Sequence, residues 1–194
     1  MKKLFILPLL AMAFAVTSLT SCLDDNNEQT QIPEETINAI LNDFKGTYKG
    51  EAILYNTDTA KNTLVKIDSL IKLQKVPTKF IAYGIRGNIN EKLKEALEQP
   101  DSIDIWCDYT VEIASIKPPY RFFMGPREVK FNLNYDGADH QMVWKFTANL
   151  YMNYGLFNST TQEIAFRIMP ASLQADGNTV SYVPTDLIFN GAEQ

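Results

Sequence analysis

The chain has 194 residues, with 18 basic against 23 acidic side chains, and its net charge is −5 at neutral pH. This excess of negative charge repels nucleic acids and anionic lipid headgroups, so we expect no nucleic-acid partner. The length corresponds to about one domain with a single hydrophobic core.

The first 21 residues have the three-part layout of a secretory signal. Lys2 and Lys3 precede an apolar run over residues 4–16, and small and polar residues follow it. The run is shorter than the roughly 20 apolar residues that a membrane-spanning helix needs. The sequence therefore predicts a signal peptide over residues 1–21 that is removed on export.

The segment Leu19-Thr20-Ser21-Cys22 resembles the lipobox of bacterial lipoproteins. That resemblance implies cleavage before Cys22 and attachment of a diacylglycerol to its thiol, with a further acyl chain on the freed amine. Two or more acyl chains hold a protein stably on a membrane, whereas one binds only marginally. We therefore expect lipidation of Cys22 and an outer-membrane lipoprotein of the cell envelope.

Cleavage would leave 173 residues, with 16 basic against 23 acidic side chains and a net charge of −7. Residues 22–32 are polar and acidic, which predicts a flexible tether. Acidic residues just after the lipidated cysteine resemble the signal that sends Bacteroides-type lipoproteins to the outer face of the outer membrane. The alternative is that the tether is polar for solubility alone. Residues 33–194 are then a single β-rich domain.

Two short helices are predicted. One begins at Pro33, ends at Gly46 and has a single apolar stripe formed by Ile37, Ile40, Leu41 and Phe44. The other begins with a capping box at Asn88 and Glu91 and stops at Pro100.

Most of the remaining chain alternates between apolar and polar residues, which is typical of half-buried strands. The clearest strand is Ser102–Ala114, and a hairpin follows with its turn at Asp136-Gly137. We expect the second hairpin strand to continue as far as Leu150, with Tyr151 on its polar face. Further predicted strands are Thr47–Tyr55, Asn62–Leu73, Thr78–Tyr83, Gln162–Met169 and Thr179–Phe189. About eight strands with short connections favour an antiparallel β-sandwich or flattened barrel, mainly β in class.

Catalytic motifs are missing from the sequence. His140 is the single histidine and is predicted to be a solvated turn residue, since no G-x-S-x-G motif accompanies it. Cys107 alternates onto an apolar face and is predicted to pack as a small hydrophobic side chain. No zinc or nucleotide motif is present, so we expect no metal and no cofactor.

Acidic residues leave two alternatives open. Asp136 and Asp139 adjoin a turn, where carboxylates usually solvate the chain and occasionally ligate calcium. Asp104 and Asp108 share a strand face but are about 13 Å apart, too far for a glycosidase pair. Convergent carboxylates from separate elements would be needed for a hydrolase.

Exposed aromatic residues give the candidate binding surface. Trp106 alternates onto the face of Asp104 and Asp108, and a flat ring among polar groups is suited to stacking on a sugar or gripping a protein. Tyr151 and Tyr154 are further candidates. Tyr154 and Phe157 are expected in the loop after the second hairpin strand, where they extend the same patch. The alternative is that a helix or loop covers these rings and makes them core.

Several motifs look like those of a family of uncharacterised Bacteroides-type lipoproteins, a domain of unknown function about 200 residues long. They are the lipobox, Phe44-x-Gly46-x-Tyr48-x-Gly50, residues 76–82, Met124-Gly125-Pro126 and residues 135–140. These are turn and packing motifs, so the resemblance implies a fold but assigns no catalytic residue. We expect a non-enzymatic binding or accessory module with a glycan or secreted protein as partner. The alternatives are a lipocalin-like carrier of an apolar ligand and, third, a hydrolase.

Overall fold

The computed structural model describes residues 32–54, 57–87 and 91–194. The predicted signal peptide, Cys22 and the tether up to residue 31 therefore lie outside the described residues, as does Asn88 of the capping box. In the described part no helix is long and apolar enough to cross a membrane. The helices are α1 (Glu34–Asp43), α2 (Lys79–Ala82) and α3 (Glu91–Leu97). The strands are β1 (Gly46–Leu54), β2 (Asp58–Ile67), β3 (Ile71–Pro77), β4 (Ser102–Glu112), β5 (Tyr120–Pro126), β6 (Val129–Tyr135), β7 (Ala138–Phe146), β8 (Tyr154–Asn158), β9 (Glu163–Ile168), β10 (Pro170–Ala175), β11 (Asn178–Val180) and β12 (Leu187–Glu193).

Eight strands form a closed antiparallel barrel in the order β1-β12-β9-β8-β5-β4-β3-β2. The barrel closes where the first strand pairs with the last, from Tyr48 opposite Glu193 to Leu54 opposite Leu187. Gly50 makes this close approach possible, because a Cβ there would lie 1.9 Å from the backbone oxygen of Asn190. Closure pairs the edges that an open sheet would leave free.

The two ends of the barrel are covered by different elements. Because neighbouring strands are antiparallel, the chain crosses from β3 to β4, from β5 to β8 and from β9 to β12 at the same end. Those crossings contain α2, α3 and a second sheet of order β11-β10-β7-β6. At the opposite end, α1 leads directly into β1.

Side chains fill the barrel interior. Phe44, at the end of α1, is fully buried, with its ring 4.9 Å from Phe122, 5.3 Å from Phe157 and 5.3 Å from Tyr109. The buried residues of both sheets and all three helices form one continuous cluster. The interior is therefore a packed core.

The predicted fold class is confirmed, and the two architectures that the sequence left open are resolved in favour of a barrel with an added sheet. One predicted strand is wrong: Thr78–Tyr83 contains the helical turn α2, whose Phe80, Ile81 and Ala82 are all buried. Predicted strands Asn62–Leu73 and Thr179–Phe189 each fall across a turn and divide between two strands.

Candidate functional site

Trp106 lies on the outer wall of the barrel at the centre of four charged residues, and 42% of its surface is exposed. Lys72 is its register partner on β3, and Arg127, just past β5, donates its backbone N–H to the oxygen of Trp106 at 2.8 Å. Asp104 and Asp108 stand two residues before and after it on β4. We call these five residues the Trp106 cluster.

Two ion pairs fix the charged side chains of the Trp106 cluster. Arg127 donates twice to Asp108, with Nε and Nη2 at 3.0 and 2.8 Å from its oxygens. Lys72 Nζ lies 2.7 Å from Asp104 and 4.7 Å from the centre of the Trp106 ring. The cluster therefore presents an indole ring among ordered donors and acceptors.

Both carboxylates of the cluster are held in their ionised form. The Arg127 guanidinium lowers the pKa of Asp108 below its ordinary value. Partial burial opposes ionisation of Asp104, but hydrogen bonds from the Lys72 ammonium and the Lys75 backbone N–H outweigh it and lower the pKa of Asp104. A general acid requires the opposite shift, so neither carboxyl is prepared to donate a proton.

The second predicted aromatic site is exposed, although not on the strand expected. Strand β7 ends at Phe146, and Tyr151 lies in a 3₁₀ turn, Leu150–Met152, in which the Asn149 side chain accepts from the Tyr151 backbone N–H. Tyr154 is on β8, so its predicted place in a loop is wrong. Phe157 is fully buried, and its predicted place in the exposed patch is also wrong.

Exposed apolar side chains surround Tyr151 and Tyr154. We call the following five residues the tyrosine patch: Leu150 (51% exposed), Tyr151 (77%), Met152 (37%), Tyr154 (37%) and Leu156 (42%). Phe123 on β5 links the two tyrosines, since it is the register partner of Tyr154 and its ring lies 5.8 Å from that of Tyr151.

The structure does not join the Trp106 cluster to the tyrosine patch. Tyr154 pairs with Phe123, which pairs with Thr110 on β4. Thr110 lies four residues along the strand from Trp106, so the rings of Trp106 and Tyr154 are on the order of 15 Å apart. They form two separate surfaces of the barrel.

His140 contacts Asp176 and Tyr135 within the second sheet and its turn. It is half-buried, so the prediction of a solvated turn residue is wrong. Its Nδ1 lies 2.6 Å from Asp176, and its ring stacks on Tyr135 with centres 3.9 Å apart. Its Nε2 is buried and has no hydrogen-bond partner among the described residues. These contacts fasten the β10–β11 turn to β7.

Other polar candidates are engaged separately. Asp136 forms an ion pair with Lys92 on α3, and Asp139 accepts from the side chain of Asn134 at 2.8 Å. Within the described ranges, no three His, Cys, Asp or Glu side chains converge in a way that could hold a metal ion. Burial raises the pKa of the Cys107 thiol to about 12, which makes it a poor nucleophile.

Reasoning from sequence missed Lys72 and Arg127. Alternation along β4 indicated the side chains above and below Trp106, but the lateral neighbours come from strands whose register depends on the closed barrel. The sequence offers two weak local signals. Arg127 directly follows the turn-prone Gly125-Pro126, and Lys72 lies within β3.

Comparison with known proteins identifies a family. Residues 43–175 match the model of a domain of unknown function, DUF4840. The chain belongs to this family. No curated protein and no solved structure matches the chain significantly. The Trp106 cluster and the tyrosine patch both lie inside the DUF4840 segment, whereas β12, which closes the barrel, lies beyond it. The predicted resemblance is thus confirmed as far as a domain of unknown function.

Proposed function

We propose that this DUF4840 protein is a lipid-anchored cell-envelope protein that acts as a non-enzymatic binding module, with the Trp106 cluster as its ligand platform. The observation that supports this most is the exposed Trp106 ring between two ordered ion pairs. Groups already held in place lose little conformational entropy when a ligand binds.

A glycan fits this platform well. The apolar face of a sugar ring stacks on an indole, while the hydroxyl groups around the ring donate hydrogen bonds to carboxylates and accept them from ammonium and guanidinium groups. Asp104 and Asp108 supply acceptors, and Lys72 and Arg127 supply donors. A protein partner is the other candidate, because Trp and Arg are frequent anchors of protein interfaces.

The carboxylates favour binding over hydrolysis. Glycoside hydrolysis requires one carboxyl group with a raised pKa to protonate the leaving oxygen. In the cluster the pKa values of Asp104 and Asp108 are both lowered. A hydrolase therefore gains no support from this site.

The filled barrel favours an outer binding surface over an interior one. A lipocalin-like carrier encloses its ligand within the barrel. Here Phe44, Phe122 and Phe157 occupy that space and are fully buried. The described outer surface also carries open grooves, such as one of about 550 Å³ that crosses β1, β12, β9 and β8.

The anchor is tested on the native product. Intact mass analysis is expected to show removal of residues 1–21 and acyl groups on Cys22, and a Cys22→Ala variant is expected to leave the membrane fraction. An unmodified Cys22, or a Cys22→Ala variant that stays on the membrane, would contradict the anchoring proposal.

The binding platform is tested on a glycan array with the chain from residue 22 onward, carrying Cys22→Ser. We expect Trp106→Ala to weaken binding to the retained glycan at least tenfold, which is about 1.4 kcal/mol. Tyr151→Ala is the matched control, since it removes an aromatic ring that is even more exposed from another surface and is expected to bind normally. Absence of any bound glycan, or equal loss in both variants, counts against a glycan at the Trp106 cluster.

A further inference from the structure

The tyrosine patch is a concentrated apolar surface that the proposed ligand platform does not use. Nine large hydrophobic side chains are exposed among the described residues, and five of them lie between Leu150 and Leu156. A shallow groove of about 220 Å³ extends the patch past Ala165 to Ile188 on β12. Apolar patches on the order of 300–600 Å² on a monomer are often interaction sites.

Both tyrosine rings of the patch pack against neighbouring side chains. Tyr151 packs edge to face on Phe123, with ring centres 5.8 Å apart. The Arg167 guanidinium lies 5.2 Å from the centre of the Tyr154 ring, and its Nε donates to the backbone oxygen of Met152 at 3.1 Å. An ordered apolar surface loses little entropy on association, so it is suited to docking.

Polar groups at the edge of the patch are engaged within the chain. Asn149 accepts from the Tyr151 backbone, and the buried Asn153 donates to Thr147 and accepts from Met169. The five side chains of the patch carry no charge, and their only strong hydrogen-bonding groups are the two tyrosine hydroxyls, so this surface offers a sugar few polar partners. The composition of Tyr, Met and Leu beside an Arg is instead that of a protein interface.

The charges at the rim are balanced. Arg167 pairs with Asp186 at 3.6 Å on one side, and Arg121 pairs with Glu112 at 4.0 Å on the other. Both signs are thus present on each side of an apolar centre, although the whole chain has a net charge of −5. When two copies of this surface face each other, the rim charges are of both signs, so repulsion between like charges is limited. Arg121 and Arg167 of one copy can then pair with Asp or Glu of the other.

We infer that the tyrosine patch packs against the same patch of a second copy in a two-fold symmetric dimer. A two-fold axis brings one surface onto itself and therefore requires self-complementarity, which an apolar centre with a mixed-sign rim provides. The two outer sheet faces then pack with Tyr151 and Tyr154 at the centre. A stable interface takes roughly 20–30 residues from each partner, and the tyrosine patch has five, so the dimer is weak and depends on concentration.

The test is sedimentation equilibrium of the chain from residue 22 onward with Cys22→Ser, from about 5 to 500 µM. The average mass is expected to rise from that of a monomer towards that of a dimer and no further. Tyr151→Ser and the double variant Tyr151→Ser with Leu156→Ser are expected to weaken association at least tenfold while their circular dichroism stays unchanged. Tyr151 is mostly exposed, so the single variant keeps the test valid if the double variant misfolds.

Trp106→Ala serves as the control and is expected to dimerise normally, which separates this inference from the proposed ligand platform. A wild-type protein that is monomeric at the highest concentration overturns the inference. So does a dimer that both patch variants leave intact, or a mass that grows beyond two copies.

Discussion

Asp176 fastens one turn of the second sheet through both of its carboxylate oxygens. Oδ1 accepts from the Gln141 backbone N–H at 2.9 Å, and Oδ2 contacts His140 Nδ1 at 2.6 Å. The hydrogen bond with His140 and that with Gln141 lower the pKa of Asp176 below its ordinary value. The contact therefore depends on an ionised carboxylate.

This contact predicts a pH-dependent contribution to stability. A carboxyl with a lowered folded-state pKa stabilises the fold above its unfolded pKa of about 3.9, and the contribution is lost as the pH falls through the folded-state pKa. We expect Asp176→Asn to lower the free energy of unfolding at pH 7 and to differ less from wild type below about pH 4. Urea unfolding at both pH values measures this, and a difference that does not change with pH would refute it.

Cys107 predicts a second outcome at single-residue scale. Its side chain is fully buried and burial raises the pKa of its thiol to about 12, so little thiolate forms at neutral pH. In the Cys22→Ser variant, Cys107 is expected to react with Ellman's reagent at least a hundredfold more slowly than the same thiol in denaturant. Equal rates in the folded and denatured protein would show that Cys107 is accessible.

Sequence alternation located individual exposed side chains better than it located their neighbours. It predicted that Trp106 and Cys107 face opposite sides of β4, and the structure confirms this. It failed for Phe157, whose burial follows from the position of β8 between β5 and β9. The neighbours of Trp106 come from strands up to 34 residues away in sequence, which local patterns do not encode.

Among the elements, long alternating runs were predictable and short apolar runs were not. Strands β4 and β6 follow the predicted alternation, the hairpin turns at the predicted Asp136-Gly137, and α1 follows its apolar stripe. Strand β7 departs from it, since Val143 is buried beside Met142 and Trp144. The segment Thr78–Tyr83 is too short for periodicity to separate strand from helix. Strand β7 stops at Phe146 because the side chains of Asn149 and Asn153 form hydrogen bonds that turn the chain away from the strand. In the sequence, these two asparagines look like ordinary polar positions of a strand.

The pairing of β1 with β12 gives a prediction at the scale of elements. A Cβ at Gly50 would lie 1.9 Å from the backbone oxygen of Asn190, so β12 must shift to accept Gly50→Ala. We expect this substitution to lower the free energy of unfolding by about 2–4 kcal/mol in urea titrations. Gly125→Ala on β5 is the matched control, because its Cβ would meet only Asp108 at 3.8 Å, and it is expected to change stability by less than about 0.5 kcal/mol. Equal effects would contradict the steric argument.

At the scale of the molecule, Phe44 closes one end of the barrel and contacts several interior rings. Phe44→Ala removes a fully buried ring and leaves a cavity among Tyr109, Phe122 and Phe157, which is expected to cost about 3–5 kcal/mol. Ile116→Ala, at an exposed position, is expected to be nearly neutral. Thermal unfolding followed by circular dichroism compares the two, and a small effect of Phe44→Ala would indicate that α1 is not part of the cooperative unit.

The pairing of β1 with β12 distinguishes a barrel from a sandwich, and these two strands are far apart in sequence. Strand β1 begins at Gly46 and its partner β12 ends at Glu193, so no local pattern predicts that they pair. The rest of the β-rich class follows from strand alternation and turn residues alone.

The pairing of β1 with β12 also limits when the barrel can close during synthesis. Strand β1 is synthesised well before β12, so one flank of β1 has no partner until the chain has been made as far as Glu193. Contacts between strands this remote in sequence slow folding. Until β12 pairs with β1, the sheet has a free edge that can associate with other chains. A chain truncated before Leu187 would therefore lack β12 and would keep an open sheet edge that is prone to aggregation.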